Sequence, residues 1–359
     1  MKEKKFAFLV HPRGFEDFLI KFPWFRFLPE SVLYFLTMHM PPVVVSKITG
    51  LKNKDGKKID GYIIAITMTA RQMIEHRERA LKKIKQATKL AEKKGVRLMG
   101  LGALTASFSR GGLDLAGFSK VGITTGRAYT VKTVTNYVKL VMEVMGFDKE
   151  KIVVDVVGAA GSIGSSSAKV LAEYGIRNFI LIDLEYKAWK VEEYIKHMKK
   201  IRGDLSFKVS HQISDIKDAD IIIAATNAPE VLIKPDDLKS GAIIINDAQP
   251  SDVDPEVLKR EDVLVVEGGV VNTPGIRSNF KLGLHDKEDN FCCMGEVLIL
   301  AHNNLFKDYA LGELNLSLIK NIEMMSENLN FKLTKTQNSN GIIDNKKIER
   351  VKEIIRNRQ

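Results

Sequence analysis

Cysteine is nearly missing from this chain. Of 359 residues only Cys292 and Cys293 are cysteine, and they are neighbours. Adjacent cysteines rarely bridge, so a disulfide framework is excluded and a reducing cytoplasm is the expected location. Long apolar runs are missing as well. The basic start Met1-Lys2-Glu3-Lys4-Lys5 leads into an apolar run that is short and broken by His11-Pro12-Arg13. Neither a signal peptide nor a spanning helix is therefore expected. There is no zinc-ligand spacing, so no metal site is assigned, and no aromatic-rich basic motif that would point to nucleic acid. No internal repeat occurs beyond an alternation of strand and helix patterns. Acidic residues are outnumbered, 44 against 55 basic, for a formal charge of +11. That excess favours an acidic partner such as an acidic protein or an anionic membrane.

What is present reads as an ordinary soluble protein, 45% apolar and 28% charged. The length favours two domains plus a tail. The organising stretch is 153–185. An apolar strand, Val153 to Val157, runs into Gly158-Ala159-Ala160-Gly161-Ser162-Ile163-Gly164, then into an amphipathic helix to Tyr174 and a second strand that ends at Asp183. A first glycine allows the tight turn, a second lets backbone approach a pyrophosphate, and a third lets helix lie on strand. The helix start offers N–H groups and a positive dipole end to phosphates. Ile163, Ser167, Val170, Leu171 and Tyr174 share one helical face, expected to pack on the sheet. The candidate nucleotide residues are Gly158, Gly161, Ser162, Ile163, Gly164 and Asp183, the last placed to accept hydrogen bonds from a ribose. The Ile and Val runs at 219–226, 241–246 and 263–266 suit parallel strands covered on both faces. Thr226 and Gly269 fall at the carboxyl ends of such strands, where they border a nucleotide or serve ordinary turns.

Elsewhere the pattern gives strands at 6–10, 43–49, 62–67 and 96–101. One long helix is expected from Thr69 to Lys94, rich in Arg and Lys and closed by Gly95. A second runs from about Arg127 to Met145. Thr124 or Thr125 caps it, or leaves backbone donors aimed at a substrate. Residues 15–42 are strongly aromatic, up to the stop at Pro41-Pro42. Two readings stand: helices packed in the core, or a segment touching lipid or a long acyl chain. Beyond Gly312 the chain turns polar. A loose linker is expected at 336–345, then a short basic helix at most.

Cys293 stands near the start of a helix running to about Asn304, where the dipole favours a thiolate. Beside a nicotinamide site this suggests attack on an acyl carbonyl, an acyl-enzyme thioester and hydride release of an aldehyde. A thiol that is only a small buried hydrophobe is the plainer alternative. Backbone N–H groups around Cys293 and Met294 are candidates to hold the oxyanion, and His285 is a candidate acid by its nearness in sequence.

Several motifs in one order carry a resemblance. They are Pro41-Pro42 with its hairpin, Gly61 and Ile63, Leu101-Gly102 with Thr105, and Thr124-Thr125-Gly126. They continue with Val156-Val157-Gly158-Ala159, Gly161, Ile163-Gly164-Ser165, Gly268-Gly269-Val270-Val271 and Phe291-x-Cys293-x-x-Glu296. Over roughly residues 38–306 the chain resembles the long-chain acyl-(acyl-carrier-protein) reductases, which form fatty aldehydes. The resemblance implies that Cys293 is the acyl-accepting nucleophile and that NADPH or NADH is the cofactor. It implies an α/β fold with an N-terminal substrate domain (1–148), a Rossmann domain (149–275) and a C-terminal helical segment (276–359) that carries the nucleophile. Three departures stand out. Asp183 replaces a small residue followed by arginine, so repulsion of a 2′-phosphate is expected to favour NADH. Residues 15–37 are more apolar than the family's. The tail past 312 diverges. The acyl carrier is thus open between carrier protein, coenzyme A and a lipid-linked thioester, and peripheral membrane contact through 15–42 is allowed. The rivals are a shikimate- or folate-type two-domain dehydrogenase of a small metabolite, and a non-catalytic nucleotide-dependent acyl- or membrane-binding protein.

Overall fold

The structure, a computed structural model, describes residues 4–228, 230–249, 251–280 and 283–358. Residues 1–3 of the basic start, Pro250 and Gln359 lie outside these, as does the side chain of Ile20. The chain divides into two compact units. The first comprises Met1–Tyr129, Thr273–Leu314 and Asn321–Phe331; the second comprises Thr130–Asn272, Asn315–Lys320 and Lys332–Gln359. The expected boundaries at 148 and 275 are redrawn. The helix Arg127–Met145 buries Val134, Tyr137, Val138, Val141 and Met142 in the core of the second unit, which takes 130–148 with it. Residues 276–359 do not form a segment of their own and are shared between the units.

The second unit is built on six parallel strands. Their order is Leu264–Glu267, Ile243–Asn246, Ile221–Ala224, Val153–Val157, Asn178–Ile182, Ser206–Ser210. Numbered along the chain and read from the opposite edge this is 3-2-1-4-5-6, the Rossmann order. The reason lies in the isoleucine runs. Ile221 and Ile223 fill one face of the sheet while Ile222 fills the other, so each strand is apolar throughout rather than alternating. Asp155 interrupts this pattern. It is fully buried between Ile180 and Ile222, and neither carboxyl oxygen has a hydrogen-bond partner.

The helix Ser162–Tyr174 lies on the sheet by a narrower face than its apolar residues suggest. Gly164, Ser167, Ala168, Leu171 and Ala172 are buried, whereas Ile163 and Val170 are half-buried and Tyr174 is exposed. Small residues face the sheet because the helix start comes very near the first strand. A Cβ on Gly164 would sit 2.5 Å from the carbonyl oxygen of Gly158.

The basic helix expected at the end of the chain is present and well packed, whereas the loose linker expected at 336–345 is corrected. Gln337–Asn338 and Gly341–Ile342 pair as a short hairpin, and Asn345–Arg358 is a 14-residue helix. That helix buries Val351 and Ile355 against the second unit's core, and Arg358 bonds Asp220 and the Ser240 carbonyl.

The first unit has a mixed sheet. The strands Gly61–Ala65, Lys5–Val10, Val96–Leu101 and Gly122–Thr124 run parallel, with Val43–Thr49 and Arg277–Ser278 added antiparallel at one edge. The helix Arg77–Lys93 buries Ala80, Ile84, Ala87 and Ala91 with Ala7, Leu9, Met99 and Leu101 of that sheet. The expected single helix from 69 is broken at His76. Ala70–Glu75, capped by the reciprocal Thr69–Gln72 pair, ends where His76 leaves helical geometry (φ −131, ψ 61), and the Tyr34 hydroxyl bonds the Glu75 and His76 side chains at that bend. Residues 15–42 form Phe15–Lys21, a 3-10 turn Pro23–Phe27 and Glu30–His39. The last helix stops where Met40 becomes extended ahead of Pro41. Among the described residues no helix is long and apolar enough to cross a membrane.

Candidate functional site

The thiol site lies in the first unit. The helix Cys292–His302 is buried at nine of its residues and packs on the sheet through Val297, which occupies the space left by Gly100. Its first turn carries both cysteines. Cys292 is 1% exposed and packed into the core, whereas Cys293 is half-buried and neither is in a disulfide. The helix start has no side-chain cap, and Cys293 stands in its first turn, where the positive dipole end favours a thiolate.

Two residues fix that position. At Gly126 φ is +76, and a Cβ there would lie 2.2 Å from the Cβ of Cys293. Only glycine meets both conditions. Glu296, fully buried one turn after Cys293, accepts from the Gly126 amide at 3.1 Å, the Tyr129 amide at 2.8 Å and the Thr124 hydroxyl. Burial raises the pKa of Glu296, and these donors hold the rise in check. The carboxylate caps the helix Arg127–Met145 from outside and ties its start to the cysteine turn.

This corrects the expectation for Thr124 and Thr125. Both are buried, and their hydroxyls are given to protein partners: Thr124 to Glu296, Thr125 to the Ala310 carbonyl at 2.8 Å. The backbone donors expected to face a substrate face Glu296. Thr124 is tied through Glu296 to the thiol turn, and Thr125 is tied to the loop at Ala310. Sequence reading had quoted Gly126 and Glu296 only as part of a resemblance. The available signal was Glu296 itself, one acid inside Val297-Leu298-Ile299-Leu300 and its apolar neighbours. His285, the candidate acid, lies in an exposed loop.

The nucleotide site lies in the second unit, at the carboxyl ends of its strands. Gly158 turns with φ +88, and a Cβ there would be 2.6 Å from the Ala225 carbonyl oxygen. Gly161 is the N-cap of the helix, has no side-chain cap, and keeps the backbone bare where a pyrophosphate would lie. The hydroxyl oxygen of Ser162 is buried there without a partner. A bare turn, an uncapped helix start and an orphaned hydroxyl fit a dinucleotide phosphate. Ile163 is half-buried in the same first turn.

Asp183 behaves differently from expectation. Its carboxylate accepts from the Ala160 amide at 2.8 Å and the Leu184 amide at 2.8 Å, and pairs with Lys187 at 3.0 Å. The side chain is 5% exposed. The acid braces the glycine turn and is neutralised by Lys187, so its repulsion of a 2′-phosphate is much reduced. Thr226 donates to Asp252 at 2.6 Å and accepts from the Ala228 amide at 3.0 Å, which is turn chemistry. Gly269 leaves room for Asp247, whose Oδ1 would be 2.6 Å from a Cβ there. Sequence reading missed Asp247. Burial, then Glu267 and Asp252, push its carboxyl up to about 8, so it is largely protonated at neutral pH.

Comparisons with known proteins bear on the fold and on the broad class of the chain. A family profile described as shikimate/quinate 5-dehydrogenase matches residues 139–267, the heart of the second unit. A long-chain acyl-[acyl-carrier-protein] reductase of Synechococcus elongatus is 25% identical over 303 residues, 80% of this chain and 85% of that protein. Among solved structures, the NAD-dependent malic enzyme of Thermotoga maritima aligns with TM-score 0.45 and 14% identity, over 98% of this chain and 84% of that one. Quinate dehydrogenase from Corynebacterium glutamicum aligns with TM-score 0.38 and 13% identity, over 90% and 99%. The chain is a Rossmann-type oxidoreductase. Its cofactor class is a nicotinamide dinucleotide.

Proposed function

We propose that the chain reduces a long-chain acyl thioester to a fatty aldehyde through an acyl-Cys293 intermediate. The observation that carries this reading is the first turn of Cys292–His302. One cysteine there is sealed in the core and its neighbour is presented at an uncapped helix start, held by Gly126 and Glu296. A purely structural cysteine needs no such support. The 25% relative adds weight, since a reductase of acyl-carrier-protein thioesters covers most of both chains.

In the first half-reaction the Cys293 thiolate attacks the acyl carbonyl. The carbonyl carbon–sulfur bond to the carrier breaks, and the carrier leaves as a thiol that takes up one proton. The reduced nicotinamide, when bound, supplies the hydride for the acyl carbon. Collapse of the resulting tetrahedral adduct on Cys293 breaks the carbon–Sγ bond, frees the aldehyde and restores the thiolate. Transfer to Cys293 keeps the acyl group at the thioester level, which accepts hydride, and anchors it to the protein after the carrier has left.

Intact-mass measurement after incubation with an acyl thioester and no cofactor tests the reading. The wild type and Cys292→Ala should gain one acyl group, and Cys293→Ala none. A wild type that stays unmodified sinks the proposal. Oxidation of NADH and of NADPH, each with acyl-carrier protein and with acyl-coenzyme A, identifies the carrier and the cofactor. With Asp183 neutralised by Lys187, both cofactors are expected to serve. A second reading, a dehydrogenase of a small metabolite, is favoured by the profile match over 139–267. Under it Cys293→Ala would keep full activity.

A further inference from the structure

We propose that the edge of the first unit formed by residues 24–39 docks on an anionic lipid surface. The structure separates the aromatic stretch into two populations. Phe18, Leu33 and Met38 are buried, and Phe22 and Phe25 are half-buried beside them, with the Phe18 and Phe25 rings stacked at 5.3 Å. Trp24, Phe27 and Phe35 are 62%, 82% and 60% exposed, with Val32 also exposed between the last two. Core packing accounts for the first group and leaves the second facing water. Large aromatics exposed together within twelve residues mark an interaction surface.

The charge beside them selects the occupant. The Phe35 ring stacks on His39 at 4.2 Å, and the far nitrogen of His39 lies 3.4 Å from the Arg79 guanidinium. Arg79 belongs to the neighbouring helix Arg77–Lys93. Between residues 71 and 94 nine side chains are basic and three are acidic; Lys83 is buried on the Met40 carbonyl and Arg71 and Lys89 pair with Glu75 and Glu92, which leaves Arg77, Arg79, Lys82, Lys85, Lys93 and Lys94 as the excess. Aromatic side chains flanked by a cationic helix match the two layers of an anionic bilayer face, acyl chains below and phosphates above. Trp and Phe held at the surface beside basic side chains have the composition of an interfacial lipid anchor, and an acidic protein partner is the alternative that the test separates. This inference stands apart from the thioester reading, because vesicle binding and acylation of Cys293 are separate readouts.

The test is co-sedimentation of the full chain with phosphatidylglycerol–phosphatidylcholine vesicles and with phosphatidylcholine alone. The wild type should pellet with the anionic vesicles and less with the neutral ones, and added salt should weaken it. Trp24→Ser/Phe27→Ser/Phe35→Ser should partition at least about tenfold less, since each ring loses its apolar burial. Its thermal midpoint should stay near wild type because all three rings are exposed. In a Trp189→Phe background, the remaining Trp24 emission should shift to the blue on adding anionic vesicles. The proposal is overturned if the wild type stays in the supernatant, or if the triple variant pellets as well as the wild type. It is equally overturned if that variant instead loses self-association, or retention on acyl-carrier protein, with vesicle binding unchanged.

Discussion

Glu296 is the one acid in a helix that otherwise reads Cys-Cys-Met-Gly and then apolar residues to Ala301. Its two oxygens divide the work: Oε1 takes Thr124 and Gly126, and Oε2 takes the Tyr129 amide. Glutamine in its place has one acceptor oxygen. If that oxygen keeps Thr124 and Gly126, the side-chain amide faces the Tyr129 N–H and one buried donor is orphaned. Glu296→Gln should therefore lose about 1–3 kcal/mol in urea unfolding. It should also change the alkylation rate of Cys293 while Cys292 stays protected. An unchanged midpoint and unchanged Cys293 rate would mean that the carboxylate does not hold the thiol turn. Asp155 is the opposite case, an acid that nothing holds. Burial raises its pKa well above the ordinary carboxylate value, with Asp215 adding to the rise. A raised pKa favours the protonated fold, so that stability is full below the unfolded value of roughly 4 and falls as pH rises through the folded value. Asp155→Val, placed between Ile180 and Ile222, removes the titration. The urea midpoint of the variant should exceed that of wild type, by more at pH 8 than at pH 5. A gap that does not widen with pH would refute the buried neutral acid.

At the scale of elements, the glycine turn and the strands were legible because they depend on local rules. Continuous isoleucine runs have one use in a soluble α/β protein, and Gly158, Gly161 and Gly164 each have a backbone reason. Less legible was anything settled by a distant partner. The break at His76, where the Tyr34 hydroxyl of another helix meets the bend, has no local breaker to mark it. Asp183 was placed correctly at the end of its strand, yet its use depends on Lys187 one turn later and on the Ala160 amide. Thr124 and Thr125 looked like caps because they precede a helix; the cap comes from Glu296, 170 positions on from Gly126. The three glycines of the turn can be told apart by experiment. A Cβ at Gly158 meets the Ala225 carbonyl oxygen at 2.6 Å in a positive-φ position, whereas at Gly161 the nearest atom is 3.0 Å away and φ is ordinary. Gly158→Ala should destabilise the second unit outright. Gly161→Ala should fold with a nearly normal melting point and bind NADH and NADPH at least about tenfold more weakly, because the methyl stands where the pyrophosphate approaches. Normal cofactor affinity in Gly161→Ala, read by fluorescence titration, would move the phosphate elsewhere.

For the whole molecule, the charge of +11 is not simply a surface free for partners. Much of the basic tail is used internally. Arg350 pairs with Glu261 at 3.1 Å, Lys347 donates to the Leu258 carbonyl, and Arg358 reaches Asp220 at 2.6 Å. Lys239 meets the same Asp220 at 2.7 Å, and that acid also receives the Val153 amide at the start of the central strand. The last helix thus fastens the amino ends of the Rossmann sheet's strands, opposite the carboxyl ends that carry the candidate dinucleotide site. Exposed ion pairs contribute little, about 0–1 kcal/mol each. Burial of Val351 and Ile355 contributes more, roughly 1.5–3 kcal/mol apiece as an upper estimate. Truncation after Asp344 should therefore destabilise the second unit by several kcal/mol, seen as a lower urea midpoint for NADH-binding competence. Cysteine labelling at Cys292, in the other unit, should stay protected at urea concentrations where the truncated second unit has opened. If the truncated chain unfolds at the wild-type midpoint, the tail is not part of the sheet's support. High salt should leave most of the effect in place, because it arises from two buried aliphatic side chains and not from the charges that drew attention to the tail.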